Sequence, residues 1–136
     1  MQITARVEYA LRALLALASA EPAPLTAAAL SESHALPLTF LQAILGDLRR
    51  ADLVLNQRLP DPGYRLSRPA ATITVGQVLR AIDGKPAGRR ADPPTSGPAQ
   101  DVVRTLDLLW EAADTALLSV IDSVTLADLR DGHLPT

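Results

Sequence analysis

Five arginines, Arg49, Arg50, Arg58, Arg65 and Arg68, fall within one stretch that holds only two aspartates, Asp52 and Asp61, for a local net charge of +3. A guanidinium is a planar fork of donors that matches phosphate oxygens and the O6/N7 edge of guanine, so such a cluster suits a polyanion. Just upstream, Thr39 and Gln42 add a hydroxyl and an amide. A Gln amide donates and accepts together and can pair bidentately with the N6/N7 edge of adenine. Catalytic chemistry finds no comparable support. The chain has no cysteine, which excludes disulfides, thiolate metal sites, Cys-ligated iron–sulfur clusters and thiol nucleophiles. Its two histidines, His34 and His133, lie about 100 residues apart. Asp92 and Asp101 are single carboxylates with no histidine near in sequence, below what a metal site needs. No glycine-rich phosphate-cradling loop is present either, so the residues point to binding and not to an enzyme.

The overall charge of −2 conceals an asymmetry: residues 1–90 carry a net +4 and residues 91–136 a net −6. A basic part fits a polyanion, whereas an acidic part is repelled from one and is left to pair with protein. Glu8 and Arg12 interrupt the first apolar run and aspartates punctuate the last, so no membrane span is expected. The N-terminus shows neither a basic leader region nor a small-residue cleavage site, and the expected location is cytoplasmic.

These side chains must be positioned by a chain that is 48% hydrophobic but only 3% aromatic, a composition suited to packed helices. Val7, Leu11, Leu14, Leu15 and Ala18 recur at helical spacing from Thr4 to about Ser19. EPAP ends that helix, and Thr26 can cap a second, Ala-rich one reaching about Ser33. Pro37 suits the first turn of a third helix, with Phe40, Leu41, Ile44, Leu45 and Leu48 as its buried stripe. Leu38, Thr39, Gln42, Arg49 and Arg50 occupy the other face. Two helices joined by a short turn give the pattern of a helix-turn-helix unit, although a plain helical hairpin has the same periodicity. The next segments favour the former: LVLN at 53–56 and YRL at 64–66 flank the turn-rich RLPDPG and predict a two-stranded hairpin, a wing.

A fourth helix is expected from Thr74, with Val75, Val78, Leu79 and Ile82 on one side and Gly84 as its stop. Residues 84–99 have the proline and glycine content of a loop. A long helix then runs from about Gln100 to Ser123, and the capped segment TLADLR closes the chain. Leu106, Trp110, Ala113, Leu117, Val120 and Val124 recur with a 3.5-residue period, the seam of a helix packed along another helix. Leu109, Ala116 and Ile121 widen that face. An intramolecular hairpin would use the same pattern, but the other helices are short and already assigned, which favours a dimer interface with Trp110 as an anchor.

ARVEYALRALLALA, LPLTFLQAILGDLRRADLV, GYRLSRP, ITVGQVLRAIDG and VTLADL, in this order and spacing, resemble the winged helix-turn-helix regulators of the Rrf-two family, which includes the iron–sulfur cluster regulator and nitric-oxide-sensing repressors. The likeness covers nearly the whole chain except 84–99. It implies a mainly α protein: a winged helix-turn-helix domain with a two-stranded β wing over 1–83, the 84–99 loop, and a long dimerisation helix with a short C-terminal helix over 100–136. It also implies a homodimer on double-stranded DNA with a near-palindromic operator. Carried onto this sequence, the base-contact candidates are Pro37, Thr39, Gln42 and, in the minor groove, Arg58. Phosphate-contact candidates are Arg49, Arg50, Arg65 and Arg68. Plainer roles exist for several of these residues. Gln42 could be an ordinary exposed side chain, Thr39 a cap for a backbone N–H, Arg50 a complement to the helix dipole, and Tyr64 a packing residue at the wing base.

Three departures from the family pattern stand out. The loop that holds cluster cysteines in many relatives contains none, so no cofactor is expected, and a signal could enter through an unknown effector ligand, through a partner protein, or not at all. The wing, usually rich in glycine, has Leu59, Asp61 and Pro62 where glycines are common and keeps only Gly63. Ala35 stands in the helix-turn-helix turn where glycine is common; if positive φ is required there, alanine costs about 1 kcal/mol. The expected function is a DNA-binding homodimeric repressor. The alternative is a protein-interaction module derived from the same family that has lost specific DNA binding.

Overall fold

In the computed structural model, which describes residues 3–83 and 94–134, the order of elements is α1 (Ala5–Ala20), α2 (Ala27–His34), α3 (Leu38–Arg50), β1 (Val54–Gln57), β2 (Gly63–Leu66), a single 3-10 turn at Ala70–Thr72, α4 (Val75–Asp83), α5 (Pro98–Asp122) and α6 (Leu126–Asp131). Threonine caps start α1, α2 and α6. Thr4 accepts from the Val7 N–H, Thr26 from Ala29, and Thr125 from Asp128, whose carboxylate accepts the Thr125 N–H in return. The core is aliphatic throughout. Val7, Leu14 and Leu17 of α1 meet Leu30 of α2, Ile44, Leu45 and Leu48 of α3, Val78 and Leu79 of α4, and Leu126 of α6, all buried. No charged or polar side chain is buried with them among the described residues.

The wing is an antiparallel pair with Val54 opposite Leu66 and Gln57 opposite Gly63. A segment between α1 and α2 joins it: the Leu25 N–H donates to the Tyr64 carbonyl at 3.0 Å, and the Tyr64 N–H donates back at 2.7 Å. Tyr64 is half-buried and packs on the core, in keeping with its plainer role. The turn before α3 is fixed by Ala35 at φ 53°, ψ 42°, and by the Ala35 and Leu36 N–H groups donating to the Ser31 carbonyl. This position does adopt the left-handed conformation that favours glycine.

α5 has no buried residue along its 25-residue length. It is anchored at its C-terminal end, where Leu118 and Ile121 pack on the core and the Asp122 carboxylate accepts from Arg80 of α4 at 2.7 and 2.8 Å. That hydrogen bond holds Asp122 below the ordinary carboxylate pKa and raises that of Arg80. Val124 departs from the expected helical seam. It lies beyond the end of α5, is 6% exposed, and gives its carbonyl to the Val75 N–H, so it belongs to the chain's own interior. α5 begins at Pro98, two residues inside the expected 84–99 loop, whose residues 84–93 lie outside the described residues.

Candidate nucleic-acid interface

The candidate recognition surface is built on α3, whose inner stripe of Leu41, Ile44, Leu45 and Leu48 is buried as expected. Phe40 is not part of it. At 3.6 residues per turn it falls on the flank of the helix, where it is 53% exposed and meets the Tyr9 ring edge-on with centroids 6.3 Å apart. Thr39, Ala43, Gly46 and Arg50, spaced by 4, 3 and 4 residues, run along the face opposite the core, with Gln42 beside them. Ala43 was not singled out by residue chemistry, since it carries no polar group, but helical spacing alone places it outward. Gly46 has only the flexible Arg50 guanidinium near its missing Cβ. Small side chains at 43 and 46 leave the middle of this face low, with Thr39 and Gln42 standing at its N-terminal end.

Neither Thr39 nor Gln42 spends its side chain on a hydrogen bond within the described chain, and both are exposed. Thr39 therefore does not cap the helix. Pro37 is the N-cap, one position earlier than expected, and offers no side-chain acceptor, so the first N–H groups of α3 lack a side-chain partner.

Three contacts hold α3 and its turn against α1. Arg6 donates to Asp47 at 2.6 Å, Tyr9 packs on Phe40, and Arg12 donates to the His34 carbonyl at 2.9 Å while its guanidinium lies 5.6 Å from the Tyr9 ring centroid. As α1 advances from residue 6 to 12 its partners step back from Asp47 and Phe40 of α3 to His34 at the end of α2, so α1 is fastened to both helices of the unit. The orientation of α3 is thus set by side chains outside the hydrophobic core as well as by the core itself.

The arginines divide by how their donors are used. Arg58, at the wing tip, and Arg49, at the end of α3, are exposed and have no ion pair or side-chain hydrogen bond within the described chain. Arg50 donates to Asp47. Arg65 is half-buried, donates to Gln57 at 3.3 Å, and has its Nε buried without a partner. Arg68 donates through Nη2 to Gln77 at 2.9 Å and through Nε to the Thr72 carbonyl, bracing the start of α4 from the wing base. Gln57 closes the wing turn by donating to the Asp61 carbonyl at 2.7 Å, and Leu59 beside Arg58 is 82% exposed.

A two-helix unit with a left-handed turn, an outward face of uncommitted polar side chains and an arginine-tipped β hairpin make this a winged helix-turn-helix protein. The family profile described as Rrf2, iron-dependent transcriptional regulator, matches residues 3–132, and the chain belongs to that family of DNA-binding transcriptional regulators; it is not an enzyme. Among relatives, a Mycobacterium tuberculosis protein named as an HTH-type transcriptional regulator is 37% identical over 140 residues, covering 99% of this chain and 84% of its own. The transcriptional regulator IscR of Vibrio vulnificus is 30% identical, covering 98% and 79%. Among solved structures, CymR, the global cysteine regulator of B. subtilis, superposes with a TM-score of 0.77 at 26% identity, covering 97% of this chain and 98% of CymR. IscR of T. potens gives 0.75 at 25%, covering 97% and 88%.

Iron dependence belongs to the family's description. The residues of this chain do not fit a Cys-held cluster, because there is no cysteine, and no group of three His, Asp or Glu side chains gathers among the described residues. Nor is any described helix long and apolar enough to cross a membrane.

Proposed function

We propose that the chain is a homodimeric, sequence-specific repressor that places α3 in the major groove of a near-palindromic operator and the wing in the adjacent minor groove. The observation that carries this reading is the exposed, uncommitted pair Thr39 and Gln42 on the outer face of a helix fastened in place by Arg6, Tyr9 and Arg12. Pro37, Thr39 and Gln42 then read base edges and Arg58 enters the minor groove. Arg49 and Arg50 meet phosphates, as do Arg65 and Arg68 with the donors they do not spend internally. The second copy covers the stripe of α5 formed by Val102, Leu106, Leu109, Trp110, Ala113 and Val120, with Leu117 half-buried between them, a face too apolar to be left in water. Two recognition helices one helical turn of DNA apart, about 34–36 Å, follow from that symmetry. The cytoplasm is the expected compartment.

The test is selection of bound fragments from genomic DNA, the chain's own promoter included, followed by fluorescence-anisotropy titration of each. A defined site bound far more tightly than its scrambled version supports the reading. The altered wing tip, with Asp61 exposed where phosphate would approach and Leu59 bare beside Arg58, favours a second reading as a protein-interaction module. Binding that is weak and indifferent to DNA sequence would select that reading.

A further inference from the structure

Asp47 is an acidic residue on the DNA-facing helix, where a phosphate would repel it, yet it is not left to face solvent. Its Oδ2 accepts from Arg6 of α1 at 2.6 Å and its Oδ1 from Arg50 at 2.5 Å. The carboxylate is recessed, 24% exposed, while the two arginine side chains that cover it are 44% and 67% exposed. Each guanidinium has five N–H donors and spends one hydrogen bond on Asp47. The rest of each fork stays available at the end of the line Thr39, Ala43, Gly46, Arg50.

We propose that Asp47 is an internal counter-anion of the DNA-binding surface: it holds Arg6 and Arg50 together as a two-arginine phosphate cradle while offsetting one of their charges. This rests on the reading of α3 as the recognition helix. Without Asp47 the two cations would repel each other and spread, and this corner of the surface would carry two positive charges instead of one. Binding to random DNA needs only charge, so Asp47 weakens it. Binding to the operator needs the arginines in one place, so there the loss of charge is offset by their being held ready. Asp47 is therefore a positioning residue that acts on specificity.

The experiment compares wild type, Asp47→Asn, Asp47→Glu and the double variant Arg6→Gln/Arg50→Gln on operator and random duplexes across a salt series. Circular dichroism checks that each is folded. Asp47→Asn should steepen the slope of log affinity against log salt on random DNA by about 0.9, one additional phosphate neutralised. Its advantage over wild type then changes about eightfold per decade of salt. The ratio of operator to random affinity should fall, Asp47→Glu should restore wild-type slope and ratio, and the double variant should have a shallower slope. An unchanged or shallower slope for folded Asp47→Asn, beside a wild type that binds DNA, overturns this inference alone. A wild type without salt-dependent DNA binding overturns it together with the proposed function.

Discussion

Gly63 lies so close to the backbone of Leu25 that a Cβ built on it would sit 2.7 Å from the Leu25 carbonyl carbon and 2.9 Å from its oxygen. Its φ of 140° is also one that side chains rarely adopt. Both facts explain why this glycine persists in a wing that carries Leu59, Asp61 and Pro62 around it. The close approach is what lets Leu25 exchange two backbone hydrogen bonds with Tyr64 and tie the hairpin to the segment between α1 and α2. Gly63→Ala should therefore cost about 2–3 kcal/mol, from strain and a backbone collision that no flexible side chain can relieve. Urea unfolding reads the loss, and DNA affinity should fall with it because the wing loses its mooring; wild-type stability in this variant would contradict the packing described.

Ala35 gives the opposite sign. Its φ of 53° is strained for a residue with a Cβ, while its flexibility in the unfolded chain is lower than that of glycine. Ala35→Gly should come out more stable by about 0.5–1 kcal/mol, a rise of a few degrees in Tm, with DNA binding unaltered. A drop in Tm would mean that the turn does not hold this conformation.

How much of this was legible beforehand depended on whether a residue's role is local. The helical spacing of α1, α3 and α5 and the threonine caps are properties of short segments and can be read from the sequence, whereas a positive φ at Ala35 is only a condition there, raised by the family resemblance, and the fold meets it. Phe40 is grouped by the sequence with the apolar stripe of Leu41, Ile44, Leu45 and Leu48, whereas it lies on the flank of α3 and its partner there is Tyr9, thirty-one residues earlier. Val124 continued the arithmetic seam of α5, but the helix had ended at Asp122 and the chain had turned inward to meet Val75. The partnership of Arg6 with Asp47, and of Leu25 with Tyr64, joins residues distant in sequence with no periodic signal linking them. The arginine cluster is visible in the sequence, but which of its donors remain uncommitted could be read only from the folded chain.

Arg80 and Asp122 join α4 to the end of α5 and make that joint sensitive to acid. The folded pKa of Asp122 lies below its ordinary value of 3.8, so its contribution is fully present above that value and is lost as pH falls through the lower one. Both side chains are more than two-fifths exposed, so screening limits the gain to about 0.5 kcal/mol. The stability difference between wild type and Asp122→Asn, followed by thermal unfolding from pH 7 to pH 2, should be small and constant near neutrality and shrink below about pH 4. A difference that grows in acid would contradict the pairing. Gly76→Ala should mimic the loss at neutral pH, because its Cβ would collide with the Asp122 carboxylate and displace it from Arg80.

The apolar stripe of α5 predicts the oligomeric state. Leu106→Arg places a charge in the middle of a face that also holds Leu109, Trp110 and Ala113, and should convert a dimer to a monomer in sedimentation-velocity runs at micromolar concentration. Helical content should fall at most by the N-terminal part of α5, since its C-terminal end stays anchored by Leu118, Ile121 and Asp122. A variant that remains dimeric would locate the contact elsewhere.

α3 as the base-reading helix is tested by operator discrimination in Gln42→Ala. On a selected operator and its scrambled counterpart, titrated side by side at one salt concentration, the wild type should favour the operator strongly. Gln42→Ala should lose about 1–3 kcal/mol of that preference, roughly 5- to 150-fold, while its affinity for scrambled DNA stays the same. Arg58→Ala should weaken operator binding as well. Equal binding of operator and scrambled DNA by the wild type, or a Gln42→Ala variant that discriminates as well as the wild type, would contradict the claim.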